Sequence, residues 1–154
     1  MNYAILNTMK VYLDNCVLNR PFDDLSQERI RLETEAVILI LSRLEHQEWT
    51  WLGSQVLEIE ITRTPDPTRR SHLQRVAEHI SQSIPVGEQE IQRARLLAEM
   101  GFIGFDALHL ACAESGKADV FLTTDERLLR LAKRHAEQLQ VRVENPLDWI
   151  KEML

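Results

Sequence analysis

Short apolar runs alternate with longer stretches of helical periodicity along nearly the whole chain, and this alternation limits the fold more than any other feature. Lys10 to Leu13, KVYL, reads as a first strand that stops at Asp14, with Asn19-Arg20-Pro21-Phe22-Asp23-Asp24 as its turn-like exit loop. From Ser26, read as an N-cap, a helical pattern runs to Gln47 with Ile30, Val37, Ile38, Leu41 and Leu44 on a broad apolar face. Trp49 to Leu52 gives a second strand, closed by Gly53. Ser54 is placed to cap a helix carrying Val56, Leu57, Glu58 and Ile61, although the alternation Leu57, Ile59, Ile61 fits a strand as well. After the break Thr64-Pro65-Asp66-Pro67, residues Arg69 to Ser83 are amphipathic, Ile84 to Val86 is a minimal strand, and Glu88 to Met100 is helical. Gly101 to Phe105 is a glycine-containing turn, and Asp106 opens the helix ALHLACAES, which ends at Gly116. Asp119 to Thr123, DVFLT, is the next strand, followed by a helix from Asp125 to Gln138, a short strand Val141 to Val143, and a C-terminal helix after Asn145-Pro146.

Strands that alternate with helices imply a parallel sheet, because parallel neighbours need crossover connections, so a three-layer α/β/α sandwich is expected. With 154 residues and 44% hydrophobic content, residues 1–154 are expected to form one domain around its own core, without disulfides. Cys16 and Cys112 lack a CxxC partner or a nearby histidine cluster and read as buried free thiols. The strongest apolar stretch, Ala36 to Leu41, is far too short to span a membrane, and the N-terminus shows no signal-peptide pattern. A soluble, reducing, cytoplasmic setting is the expectation.

Four carboxylates carry the functional reading. Asp14, Glu58, Asp106 and Asp125 each sit where an apolar run ends or a helix begins. In open parallel sheets the ligand site lies beyond the carboxyl ends of the strands. Asp14, Glu58 and Asp125 fall on that rim, and Asp106 joins them if its helix start faces it. Each has a plainer role: Asp106 as a cap, Asp125 as a partner of the dipole of a helix that Thr123 caps in a T-x-x-E box with Glu126. Four acids at one rim would repel one another unless a cation lay between them, and oxygen ligands suit Mg²⁺ or Mn²⁺.

The net charge of −6 argues against a phosphate-rich partner only until the acids are removed from the count: −6 + 4 = −2. Arg63, Arg69, Arg70 and Arg75 lie close together, either on a solvated helix face or near a nucleic acid. His109 stands one turn after Asp106, where a histidine in an apolar helix is more commonly a core residue. Asp119 begins its strand and belongs at the opposite end from the rim.

The ordered set VYLDNCVLNRP, SQVLEIE, FDALHLACAE and ADVFLTTDERL resembles the PIN domain (PilT N-terminus) of VapC-like toxin ribonucleases, across nearly the whole chain. The resemblance implies a sheet of about five parallel strands and a Mg²⁺ or Mn²⁺ site whose acids activate water to hydrolyse RNA. Carried over by position, Asp14, Glu58, Asp106 and Asp125 are the catalytic and metal-binding quartet, with Thr123 and Asn15 in support. Asn15 stands where many relatives have a small hydroxyl residue, and the Asn19 to Asp24 segment, with Arg20, Asp23 and Asp24, is longer than in a minimal member. The resemblance also implies an antitoxin partner and a homodimer, for which the run Ile38 to Leu41 offers apolar surface. Competing readings are a protein-binding module that keeps the fold without catalysis, and a structure-specific DNA nuclease. An aspartyl-phosphate phosphatase would want an aspartate where Cys16 stands.

Overall fold

The computed structural model describes residues 8–154, so the reading of the extreme N-terminus lies outside the described residues. Five strands are present: β1 (Lys10–Leu13), β2 (Thr50–Ser54), β3 (Gln82–Ile84), β4 (Val120–Leu122) and β5 (Arg142–Glu144). They form one sheet in the order β3-β2-β1-β4-β5, with every neighbouring pair parallel. Among the described residues, eight α-helices connect and flank the strands: α1 (Asn15–Asn19), α2 (Glu28–Glu45), α3 (Gln55–Thr62), α4 (Pro67–Ala77), α5 (Glu88–Glu99), α6 (Phe105–Ser115), α7 (Glu126–Arg134) and α8 (Pro146–Met153). The result is a three-layer α/β/α sandwich, as the alternation of elements implies.

Both faces of the central strands are buried, which is why these strands read as continuous apolar runs rather than as polar–apolar alternations. Tyr12, Leu52 and Phe121 point to one side, where Leu97 of α5, Leu110 of α6 and Leu128 of α7 cover them. Val11, Leu13, Trp51, Val120 and Leu122 point to the other, against Val37 and Ile40 of α2, Leu57 of α3, Leu73 of α4 and Trp149 of α8. Cys112 is buried and Cys16 half-buried, both as free thiols. No helix of the described residues is long and apolar enough to cross a membrane.

Several boundaries differ from the sequence reading, for identifiable reasons. The expected exit loop after β1 is helical: α1 begins at Asn15 with Asp14 as its N-cap, and a 3₁₀ turn follows over Arg20–Phe22. Ser26 does not cap α2. Its backbone and hydroxyl bind Asp24 Oδ1 at 3.1 and 2.6 Å in a turn, and the helix starts two residues later. Strand β2 runs on through Gly53 to Ser54, because the ladder to β3 pairs Gly53 with Ser83 and Ser54 with Ile84. Helix α4 ends at Ala77 and β3 begins at Gln82, two residues before the expected start, since Gln82 and Ser83 on the sheet edge are exposed. Helix α7 ends at Arg134, and β5 lies one residue later than expected.

The segment after β1 is fastened by one buried carboxylate. Glu33 of α2, 1% exposed, accepts from Arg20 Nε and Nη2 at 3.0 and 2.6 Å and from Asn145 Nδ2 at 2.5 Å. Arg20 also pairs with Asp23, so the charges of this segment are spent on holding it to α2 and α8. Replacing Glu33 with Ala leaves Nε and Nη2 of Arg20 and the Asn145 amide without their acceptor, with only Nη1 of Arg20 still bound, to Asp23. The expected loss is about 3 kcal/mol, the low end for breaking a buried pair because Arg20 is partly solvated. Urea denaturation of Glu33→Ala, with an unchanged result counting against this assignment, measures it.

Candidate active site

Strands β1 and β4 are adjacent although far apart in sequence, and the chain leaves them in opposite directions: β2 and β3 lie to one side, β5 to the other. This is the switch point at which open α/β sheets bind ligands. Asp14 follows β1 directly, its N–H bound to Leu122 O of β4 at 3.0 Å. Thr123 follows β4 and donates its hydroxyl to Asp14 Oδ2 at 2.8 Å. The other Asp14 oxygen accepts the Asn15 N–H at 2.8 Å as the cap of α1. Cys16 Sγ lies 3.4 Å from Asp14 Oδ2 and 3.3 Å from Thr123 Oγ1.

A cleft of about 470 Å³ opens at this point, lined by Asp14, Glu60, Asp106 and Asp125, with Asn15 and Arg63 among its walls. Asp125 caps α7 through its Oδ1, which accepts Arg127 N at 2.9 Å and Leu128 N at 3.1 Å. The expected T-x-x-E box is therefore displaced: Asp125, not Thr123, is the cap, and Thr123 Oγ1 instead accepts the Asp125 N–H at 3.1 Å. Asp106 sits in the first turn of α6, whose cap Gly104 has φ 55° and ψ −130°. That conformation is open to glycine and strained for other residues, so Gly104 sets where α6 starts and hence where Asp106 points.

Glu58 is not part of the cleft. Its Oε1 accepts the Ser83 hydroxyl at 2.7 Å, and it lines a neighbouring, more apolar cleft with Ile59, Phe105 and Leu108. The acid that α3 contributes is Glu60. On a helix, residues two apart lie about 200° round from each other, so Glu58 and Glu60 face opposite ways. Val56, Leu57 and Ile61 of α3 are buried, and Glu60 belongs to that same stripe of positions 56, 57, 60 and 61. An acid inside an apolar helical stripe was the available signal, and it is invisible if the segment is read as a strand.

His109 is also at the site. It is 1% exposed; its Nε2 pairs with Glu60 Oε1 and lies 3.9 Å from Asp14 Oδ1, while Nδ1 is 2.6 Å from the Tyr12 hydroxyl. Ligand atoms of Asp14, Glu60 and His109 all lie within 4.8 Å of one another. Among the described residues, His109 is the basic side chain within 4 Å of the Asp14 and Glu60 carboxylates. Asp119 lies at the far end of its strand, as expected, where its Oδ2 accepts the Lys10 N–H at 2.7 Å.

Electrostatics show what the arrangement lacks. Burial raises the Asp14 carboxyl above the usual aspartate range, against the opposing hydrogen bond from the Thr123 hydroxyl. Asp106 is pushed up to about 6, first by burial and then by the charges of Asp14 and Asp125. Burial also lifts the Cys16 thiol to about 12, so it stays protonated. Carboxylates that resist ionisation next to one another are suited to a cation, and a donor set dominated by oxygen fits Mg²⁺ or Mn²⁺.

The sign of the pH effect follows. Asp106 holds its proton more tightly folded than unfolded, where the ordinary value is near ~3.9. Its favourable contribution is therefore complete below that value and lost as pH rises through about 6. In EDTA, Asp106→Asn is expected to melt higher than wild type at pH 7.5, with the gap closing as pH falls below about 6. Millimolar Mn²⁺ is expected to raise the wild-type melting temperature and to do little for the variant. Thermal scans across pH with and without metal check both; a variant that melts lower than wild type in EDTA at pH 7.5 would contradict this electrostatic account.

No protein-family model matches the sequence, and no curated protein sequence matches it. Solved structures do. A chain of the VapBC2 complex from Rickettsia felis, bound to a DNA fragment from its promoter, aligns with a TM-score of 0.58 at 14% identity, covering 89% of this chain and 98% of that one. A chain of VapBC-1 from nontypeable Haemophilus influenzae aligns with a TM-score of 0.55 at 14% identity, covering 90% and 98%. The five-stranded parallel sheet and these structural neighbours agree that the chain has a three-layer α/β/α, PIN-like fold.

Proposed function

We propose that this chain is a Mg²⁺- or Mn²⁺-dependent endoribonuclease that hydrolyses RNA phosphodiester bonds, and that it is the toxin of a type II toxin-antitoxin pair acting in the cytoplasm. The observation that carries the reading is the convergence of Asp14, Glu60, Asp106 and Asp125, from four separate elements, on one cleft at the switch point of the sheet. Glu60 takes the place that the sequence reading gave to Glu58.

Asp14, Asp106 and Glu60 are the residues that would hold the metal, with Asp125 beside them. A divalent ion bound there supplies a lowered water pKa and positive charge to offset the charge that develops on the phosphate. The chain's own residues do the positioning. Thr123 and the Asn15 N–H fix the two oxygens of Asp14. The backbone of α7 fixes Asp125.

Two arginines favour a nucleic acid. Arg63 and Arg69 both line the acid cleft, and their guanidinium groups lie over Phe105 and Phe22 at 5.9 and 4.8 Å. Of the four clustered arginines, these two are at the site, while Arg70 Nη1 is bound to Thr64 O at 2.8 Å. They offer phosphate contacts beside aromatic faces on which single-stranded bases stack. Both structural neighbours are VapBC complexes, which supports an antitoxin partner that covers the cleft, and homodimerisation belongs to the same reading.

The test is cleavage of fluorescent RNA and DNA oligonucleotides with Mg²⁺, Mn²⁺ or EDTA, comparing wild type with Asp14→Asn, Glu60→Gln, Asp106→Asn and Glu58→Gln. Metal-dependent cutting of RNA is expected. Loss should reach about 100-fold or more for the first three variants, beyond what altering an outer-shell partner typically costs, with Glu58→Gln near wild type. Cutting of DNA alone would move the assignment to a DNA nuclease, and no cutting by folded wild type would favour a binding module. In the same assay, replacing Arg63 or Arg69 with Ala should raise KM more than it lowers kcat. The salt dependence of binding should flatten by about 0.7 per lost phosphate contact.

A further inference from the structure

A buried chain of hydrogen bonds runs from the backbone of α3 to Glu60, and its polarity is fixed at both ends. The Leu57 N–H can only donate, and it reaches Ser54 Oγ at 3.1 Å. Ser54 Oγ lies 2.6 Å from the Tyr12 hydroxyl, which lies 2.6 Å from His109 Nδ1. At the other end His109 Nε2 faces Glu60 Oε1, and a carboxylate can only accept. With a single ring proton, one assignment satisfies every member: Ser54 donates to Tyr12, Tyr12 donates to Nδ1, and Nε2–H donates to Glu60. The reverse tautomer would set a bare nitrogen against a carboxylate oxygen.

We propose that His109 is a positioning residue, held as its Nε2–H tautomer by the buried Ser54 and Tyr12 hydroxyls so that it fixes Glu60 in the acid cleft. Among the described residues, His109 is the side chain that binds the Glu60 carboxylate. Asp14 is tied by Thr123 and Asn15, and Asp125 by the α7 backbone. Glu60, by contrast, has a longer side chain with more rotatable bonds, 23% exposed, close to the Asp14 charge that repels it. Tyr12 is suited to its part because burial raises its hydroxyl well above the ordinary value, so it remains a donor. Stacking on Phe121, with ring centroids 5.3 Å apart, holds the phenol in place. The pattern is that of an outer-shell partner that orients a ligand, whose removal typically costs about 10–100-fold in metal affinity.

The consequence for catalysis rests on the nuclease reading, but the tests do not. In ¹⁵N-histidine NMR of the metal-free wild-type chain, Nε2 of His109 is expected to carry a proton, with Nδ1 hydrogen-bonded. A resonance pattern with the proton on Nδ1 alone overturns the proposal without recourse to a variant. Mn²⁺ affinity, read by electron paramagnetic resonance, should fall about 10–100-fold in His109→Leu and by about 10-fold in Tyr12→Phe. His109→Gln, whose amide nitrogen can reach the place of Nε2, should recover most of the loss. Unchanged Mn²⁺ affinity in Tyr12→Phe and a folded His109→Leu overturns the proposal; equal losses in the Gln and Leu variants do the same, since they would reflect core disruption. Affinity losses in the predicted order, with no cleavage of any oligonucleotide by wild type, would sink the nuclease reading and leave the positioning role standing. Cleavage by wild type with unchanged affinity in the variants would do the opposite.

Discussion

Like charge gathered in one cleft is the constraint on which the rest of this structure depends. Asp14, Asp106 and Asp125 approach closely enough that the charges of the first and last help raise the carboxyl of the second to about 6. A site of this kind works against folding in the metal-free state, and the scaffold has to hold it open. The central strands do so by being buried on both faces, with Tyr12, Leu52 and Phe121 packed on one side and Val11, Leu13, Trp51, Val120 and Leu122 on the other. Because β1 and β4 sit in the middle of the sheet, the residues that follow them cannot drift apart to relieve the repulsion.

How much of this was legible in the sequence depends on the length scale of each signal. The alternation of strands and helices, and the ends of β1 and β4, were readable because buried parallel strands are continuous apolar runs with an abrupt polar stop. That placed Asp14 and Asp125 at the rim, and the helix start placed Asp106. Glu60 was missed although the segment was read as a helix, because Glu58 was carried over by motif position and the buried stripe of Val56, Leu57 and Ile61, which Glu60 shares, was not followed round the helix. In a strand Glu58 and Glu60 would point the same way, and only in the helix do they diverge. Helix α1, with five residues, has too few positions to show any period, and its start is fixed by Asp14 as a cap, where the plainer reading of an aspartate after a strand is a turn former. The edge strand β3 exposes Gln82 and Ser83, so its pattern carried no burial signal.

Net charge, similarly, misleads when treated as a bulk property. A chain at −6 would be expected to avoid phosphates. Yet the acids lie inside the cleft, while Arg63 and Arg69 stand on its walls with their guanidinium planes over Phe105 and Phe22. Placement decides: a strand of nucleic acid would meet arginine and aromatic surface first, and the carboxylates only where a cation would already have reversed their local charge.

Three of the four cleft acids stand at helix starts, two as caps and one in a first turn, and this coincidence has a physical basis. Asp14 caps α1, Asp125 caps α7, and Asp106 occupies the first turn of α6. Each acid therefore lies at the positive end of a helix, where N–H groups without intrahelical partners stabilise negative charge. That stabilisation offsets part of the mutual repulsion without placing a lysine or arginine in contact, which would compete with a metal for the same oxygens. Asp125 shows how the two roles coexist, since its Oδ1 takes both capping N–H bonds while the side chain still lines the cleft. Glu60 is the exception: it sits in the second turn of α3, beyond the reach of that helix's own N-terminal N–H groups. It has to find its donor elsewhere, and the structure provides His109, backed by Tyr12, Ser54 and, through Ser54, the N-terminus of α3 itself. The hydrogen-bond chain thus carries to Glu60 the kind of support that the other acids receive directly from a helix end.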